Sequence, residues 1–134
     1  MCSGLRLLVG AAMGLAVVGC ATLTKESPVA DKQEAVRERA AERWDLILKG
    51  KAGEAYDDFF SKASRQVLTR DDFRNRMSKT AFRTAEVQKV ECAEELCKAW
   101  VRITYDHPMT KGVPLTMQEN WILEGGAVWY VWSP

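Results

Sequence analysis

The chain has 134 residues, one domain's worth, and its 47% hydrophobic and 28% charged residues are the balance of an ordinary globular protein. That excludes a collagen-like repeat, a multi-span membrane protein and a long disordered tail. Nineteen Lys+Arg against eighteen Asp+Glu leave a formal charge of +1, so no nucleic-acid partner is expected from bulk charge. One histidine is too few for most zinc sites, and neither a metal nor a cofactor is expected.

Arg6 is the only charged residue before Lys25, and it is followed by an apolar run from Leu7 to Val18. A short positive start and an apolar stretch of about 7–15 residues read as a secretory signal peptide, because a spanning helix needs about 20. We place the signal peptide at residues 1–19. Val17-Val18-Gly19-Cys20 closes the run and resembles the lipobox of bacterial lipoproteins. The resemblance implies cleavage before Cys20, whose thiol carries the lipid, and three acyl chains exceed the two hydrophobic signals that stable anchoring needs. The sorting rule of that family retains at the inner membrane those chains with Asp after the cysteine. Ala21 stands there instead, which implies the periplasmic face of the outer membrane, the inner membrane being the alternative. Residues 20–30 are then the lipidated cysteine and a polar tether (Thr22, Thr24, Lys25, Glu26, Ser27, Pro28), and residues 31–134 the folded domain.

Asp31 and Glu34 read as a capping box opening the first helix, with Val36, Ala40, Trp44, Ile47 and Leu48 as its apolar stripe and Gly50 as its stop. Arg37, Arg39, Arg43 and Lys49 alternate there with Glu34, Glu38 and Glu42, the pattern of a solvated face with i,i+4 pairing. A second helix carries Ala52, Ala55, Tyr56, Phe59 and Phe60 on one side. Ser61–Leu68 is expected as a loop, and Thr69 as the cap of a short helix with Phe73 and Met77 one turn apart.

From Arg83 the period changes to alternation. Thr84–Cys92 and Lys98–Asp106 form a predicted hairpin, with Ala99, Val101, Ile103 and Tyr105 on one face of its second strand. Cys92 and Cys97 flank its turn; in an exported domain, without a C-x-x-C spacing or a nearby histidine, they read as a structural disulfide. His107–Pro114, with two prolines and Gly112, is expected as a loop. Leu115, Met117, Glu119, Trp121 and Leu123 then share a strand face, Gly125-Gly126 is a hairpin turn, and Ala127–Trp132 is the last strand.

Helices followed by an antiparallel meander predict an α+β fold: amphipathic helices on one face of a curved sheet of about four strands. With the closing hairpin from Gln118 to Trp132, the pattern resembles the nuclear-transport-factor-2-like (cystatin-like, SnoaL-like) family over roughly residues 31–132. The resemblance implies a cone-shaped cavity between sheet and helices, and in enzymes of that family an Asp, His or Tyr acts there on a substrate proton. The candidate here is Glu119, a carboxylate interrupting an apolar face, as general acid or base, with Tyr105 and Tyr56 as hydrogen-bond donors in the pocket. The competing reading is a structural carboxylate paired with Arg102 or Lys98. His107 beside Asp106 is read as a loop histidine, since neighbouring strand residues point to opposite faces.

Alternation also places some of Trp100, Trp121, Trp129 and Trp132 on the second sheet face, which no predicted element covers. That face is a candidate surface for a homodimer or an envelope protein partner. The expected function is a membrane-anchored periplasmic lipoprotein with a non-enzymatic binding module. The alternative is a cone-pocket enzyme or a binder of a small apolar ligand, using Glu119.

Overall fold

The computed structural model describes residues 22–134; the expected signal peptide, lipobox and lipidated Cys20 lie outside the described residues. Four helices precede four strands: α1 (Val29–Leu48), α2 (Ala52–Phe59), α3 (Lys62–Val67), α4 (Arg70–Ser78), β1 (Ala81–Ala93), β2 (Leu96–His107), β3 (Thr110–Glu124) and β4 (Ala127–Val131). The strands form one antiparallel sheet in the order β1-β2-β3-β4, and the helices pack on one of its faces. The α+β class expected from the order of periodicities is the one found.

Helix α1 supplies the spine of the core. Val36, Ala40, Trp44 and Ile47 recur every turn and are all buried, against the inner faces of β2 (Cys97, Ala99, Val101, Ile103) and β3 (Trp121, Leu123). Phe59 and Phe60 from α2, Phe73 from α4 and Tyr130 from β4 fill the other half. Trp121, Phe60 and Phe73 are the largest side chains almost wholly removed from water, and a buried Phe contributes about 1.5–3 kcal/mol.

Several boundaries differ from those expected. Helix α1 starts two residues early, after Pro28, and makes no side-chain cap; Asp31 instead sits in the first turn, where a carboxylate favours the positive end of the helix dipole. Ser61–Leu68 is not a loop. Ser61 Oγ accepts from the Ser64 N–H at 3.2 Å and caps the short α3, whose single buried residue, Ser64, leaves no apolar period to read. The expected loop His107–Pro114 shrinks to a turn at Pro108-Met109, and Pro114 pairs with Thr104 inside the sheet. β3 has β2 alone as a neighbour at that point, since β4 pairs only with Asn120–Glu124, and proline is tolerated where one side of a strand is free. The core face of β3 also fades toward this end, where Leu115 is exposed rather than buried.

Residues 22–28, expected as a free tether, are held against the domain. The Leu23 N–H donates to the Gly126 carbonyl at 3.1 Å, and the Leu23 side chain packs on the core. Thr24 and Ser27 close a turn, the Thr24 N–H donating to Ser27 Oγ at 2.8 Å. Lys32, buried on α1, donates its Nζ to the carbonyls of Lys25 and of Glu94 in the β1–β2 turn. Cys92 and Cys97 face each other across that turn and form the expected disulfide.

Candidate functional site

Glu119 lies on the core face of β3 because Trp121 and Leu123 do: alternation carries the carboxylate inward with them, to 4% exposure. Above it, α1 presents two consecutive residues. Arg43 donates from Nη1 to Glu119 Oε2 at 2.9 Å, and the Trp44 indole N–H donates to the same oxygen at 2.7 Å. The Trp121 indole N–H donates to Oε1 at 3.3 Å. Three donors therefore converge on one carboxylate, none of them in contact with bulk water.

The guanidinium of Arg43 is held as tightly as its partner. Its central carbon lies 3.7 Å from the centre of the Tyr130 ring, with Trp44, Phe73 and Phe60 at 5.5, 5.8 and 6.0 Å. A cation over an aromatic face gains from the ring quadrupole, and the gain grows when water is excluded. Arg43 Nε alone has no hydrogen-bond partner among the described residues. Burial pushes the Tyr130 phenol above its ordinary range; Arg43 opposes this shift and Glu119 adds to it.

This arrangement corrects two expectations. Arg43 belongs to no solvated face: it is 2% exposed, and so is Lys32. The partner of Glu119 is Arg43, not Arg102 or Lys98, both of which are exposed on the opposite face of the sheet. Spacing held the missing signal, for Lys32 and Arg43 fall four residues before and seven after Val36, squarely on the apolar stripe. Of the other basic residues of α1, Lys49 remains on the surface with Asp45, and Arg37 is exposed while donating to the Val87 carbonyl. Arg39 is half-buried between Phe59 and Trp129 and donates to the Val128 carbonyl; burial lowers its pKa.

The other candidates are not gathered around Glu119. The Tyr56 hydroxyl is committed to the Leu68 carbonyl at 2.7 Å, and Tyr105 is half-buried toward the far end of β2, paired with Phe82 and Val113. His107 is exposed, its Nδ1 accepting from the Met109 N–H at 3.1 Å. Among the described residues no three His, Cys, Asp or Glu side chains cluster as a metal site.

Among the described residues three surface clefts stand out, and none of the three is lined by Glu119, Tyr56 or Tyr105. One of about 670 Å³ lies between the end of α1, α4 and the start of β1 (Ile47, Asn75, Met77, Phe82). One of about 580 Å³ is lined by Phe60, Lys62, Arg65, Glu124 and Trp129, and one of about 470 Å³ flanks the Pro108-Met109 turn. On the outer sheet face Trp100 stands beside Lys89, at 5.0 Å, and Trp129 beside Ile122. Trp121 is interior, and Trp132 packs on Phe60 and Phe73. Trp100 thus lies on the uncovered face, and Trp129 at the free edge of β4, where Arg39 covers part of its ring.

Similar architecture occurs in solved proteins of very different sequence. A SEC-C motif containing protein from Psychrobacter arcticus matches with a TM-score of 0.61 at 9% identity, over 75% of this chain and 60% of that one. A second SEC-C motif containing protein, from Rhodopseudomonas palustris, matches with a TM-score of 0.57 at 9% identity, over 70% and 73% of the two chains. At such identities the likeness is one of fold. This chain spans less than two thirds of the length of the first. A de novo designed protein of the NTF2 fold aligns at a TM-score of 0.48 with 13% identity, over 76% and 87%. No protein-family model and no curated protein matches the sequence.

Proposed function

We propose that this chain is a lipid-anchored protein of the bacterial envelope whose domain is a binding module rather than an enzyme, with the outer sheet face around Trp100 as its interaction surface. The observation that carries the non-enzymatic half is the enclosure of Glu119. A general acid or base needs an open approach within about 3 Å of a substrate proton. Here three protein donors already occupy the carboxylate, its residue is 4% exposed, and none of the three clefts described above is lined by it. The envelope half is supported by the order of Arg6, the apolar run and Val17–Cys20, and by a Cys92–Cys97 bond of the kind that persists in oxidising compartments. The nuclear-transport-factor-2-like affiliation belongs to the same proposal and rests on the order of elements and the closing aromatic hairpin.

Two measurements test this reading. Cells fed an alkyne-tagged fatty acid should label the wild-type chain and not Cys20→Ser, and the labelled form should fractionate with the outer membrane. A cytosolic chain that keeps Met1 and carries no label overturns the anchor. For the module, the double variant Arg43→Met with Glu119→Gln removes the carboxylate and its counter-charge together. It should restore whatever envelope defect deletion of the protein produces; a stably folded double variant without that activity would return Glu119 to the role of acid or base.

A further inference from the structure

The β1–β2 and β3–β4 turns lie at the same end of the sheet, as alternate turns of a meander must. Both are tied to residues 22–28: the Gly126 carbonyl accepts from Leu23, and Lys32 bridges the carbonyls of Lys25 and Glu94. Gly126 adopts φ +84°, a conformation that favours glycine, and the Thr22 methyl packs where a Cβ would stand. The chain is therefore fixed to this end from Thr22 onward. Only two residue steps separate Thr22 from Cys20, and a fully extended chain covers at most about 7 Å in that distance. A flexible ten-residue tether would instead allow a root-mean-square separation of about 16–19 Å.

Beside these turns the outer face carries an apolar row. Leu96, Ile122 and Trp129 are consecutive partners across β2, β3 and β4; Leu96 is 63% exposed, while Ile122 and Trp129 are half-buried, with Arg39 over one side of the indole and its N–H donating to the Glu124 carbonyl. With strands about 4.8 Å apart, the row spans about 10 Å. Its surroundings hold both signs of charge, Glu94, Glu95 and Glu124 with Lys25 and Lys98, all exposed. That mixture suits zwitterionic headgroups, which offer an ammonium and a phosphate, better than a strongly anionic surface. Amphipathic indole rings prefer the boundary between headgroups and acyl chains.

We infer that this end of the sheet is a lipid-contacting surface: in the anchored protein the Leu96–Ile122–Trp129 row rests on the bilayer, and the Pro108-Met109 turn points away from it. The inference rests on the lipid-anchor reading of Cys20. What it adds is that the domain does not swing on a leash but lies against the membrane in one orientation.

The test uses the full lipidated chain in vesicles of phosphatidylethanolamine and phosphatidylcholine with brominated acyl chains, which quench nearby tryptophan emission. Flotation is scored first. If the wild type fails to float, or Cys20→Ser floats equally well, the anchor reading fails and takes this one with it. If the wild type floats, part of its emission should be quenched. That part should disappear in Trp129→Phe and fall severalfold in Leu96→Asp, a change at an exposed position that leaves the core untouched. Ten Gly/Ser residues inserted between Ala21 and Thr22 should preserve flotation and reduce quenching severalfold. Floating protein with unquenched tryptophan overturns the inference, as does quenching that survives Trp129→Phe or is indifferent to the insertion. Cross-linking of two chains through Leu96→Cys in unquenched protein would show a second copy on this face, and would also overturn it.

Discussion

Two arginine–carboxylate pairs of nearly equal length sit in opposite settings. Arg43–Glu119, at 2.9 Å, has both side chains 3% exposed; Arg83–Asp106, at 2.7 Å, joins the open end of β1 to β2 with Arg83 half in water. Distance alone would rank the second higher. Burial reverses the ranking of consequences, because water and salt weaken the outer pair, while the inner one has no alternative partner if either member is lost. An ion pair in a core is thus poor evidence of net stabilisation, yet its disruption is severe.

The sharpest way to break the contrast is Glu119→Gln, which leaves the Arg43 charge buried without a counter-ion. Urea unfolding should show a loss of about 3–5 kcal/mol, the usual cost of stranding one member of a buried pair. Adding Arg43→Met should recover most of it, since the amide oxygen still accepts from an indole N–H. A double variant no more stable than the single one would mean that packing, not charge, dominates this centre.

Removing the staple of the turn should come next in size. Cys92→Ala with Cys97→Ala opens a very short loop, and the chain-entropy account gives about 2 kcal/mol, read as a lower thermal midpoint that a reductant reproduces in the wild type. No loss in the alanine pair, or no response to reductant, would show that the clasp around Lys32 and Leu23 suffices to hold this end.

Asp106→Asn should have the smallest effect, barely moving the urea midpoint. The Arg83 hydrogen bond, with help from the Gly112 N–H, holds the Asp106 carboxyl below its ordinary value of 3.8. A lowered folded pKa means that the contribution of Asp106 is present above that ordinary value and is lost as pH falls through the lowered one. A carboxyl-carbon NMR titration checks this, and Arg83→Gln should move the Asp106 midpoint upward. An unmoved midpoint would assign the shift to Gly112 instead.

The two pairs also mark how far the sequence could be read. Glu119 was visible as a carboxylate set into the alternation Leu115, Met117, Trp121, Leu123, and that pattern alone placed it inside. Its partner was hidden by composition: Arg43 stands among Glu38, Glu42 and Asp45, so charge suggested solvent although spacing from Val36 and Ala40 put it on the core side. Lys32 was hidden in the same way. The disulfide was legible because Cys92 and Cys97 flank a turn between two alternating runs. Helix α3 was not, because six residues with one buried serine carry no period. Pro114 concealed the first third of β3, since a proline marks a break until it is known that the strand has a vacant side there.

Every strand finds its partner in the next strand along the chain, so the sheet can be assembled hairpin by hairpin with short loops to close. The distant encounters are those that bring the helices onto the finished sheet: α1 onto β1, β2 and β4, the Arg43–Glu119 pair, and the bridge from Phe60 to Tyr130. Loop-closure entropy slows folding in proportion to such encounters. In a chain built this way the strands can pair in the order in which they are synthesised, each hairpin closing before the next begins.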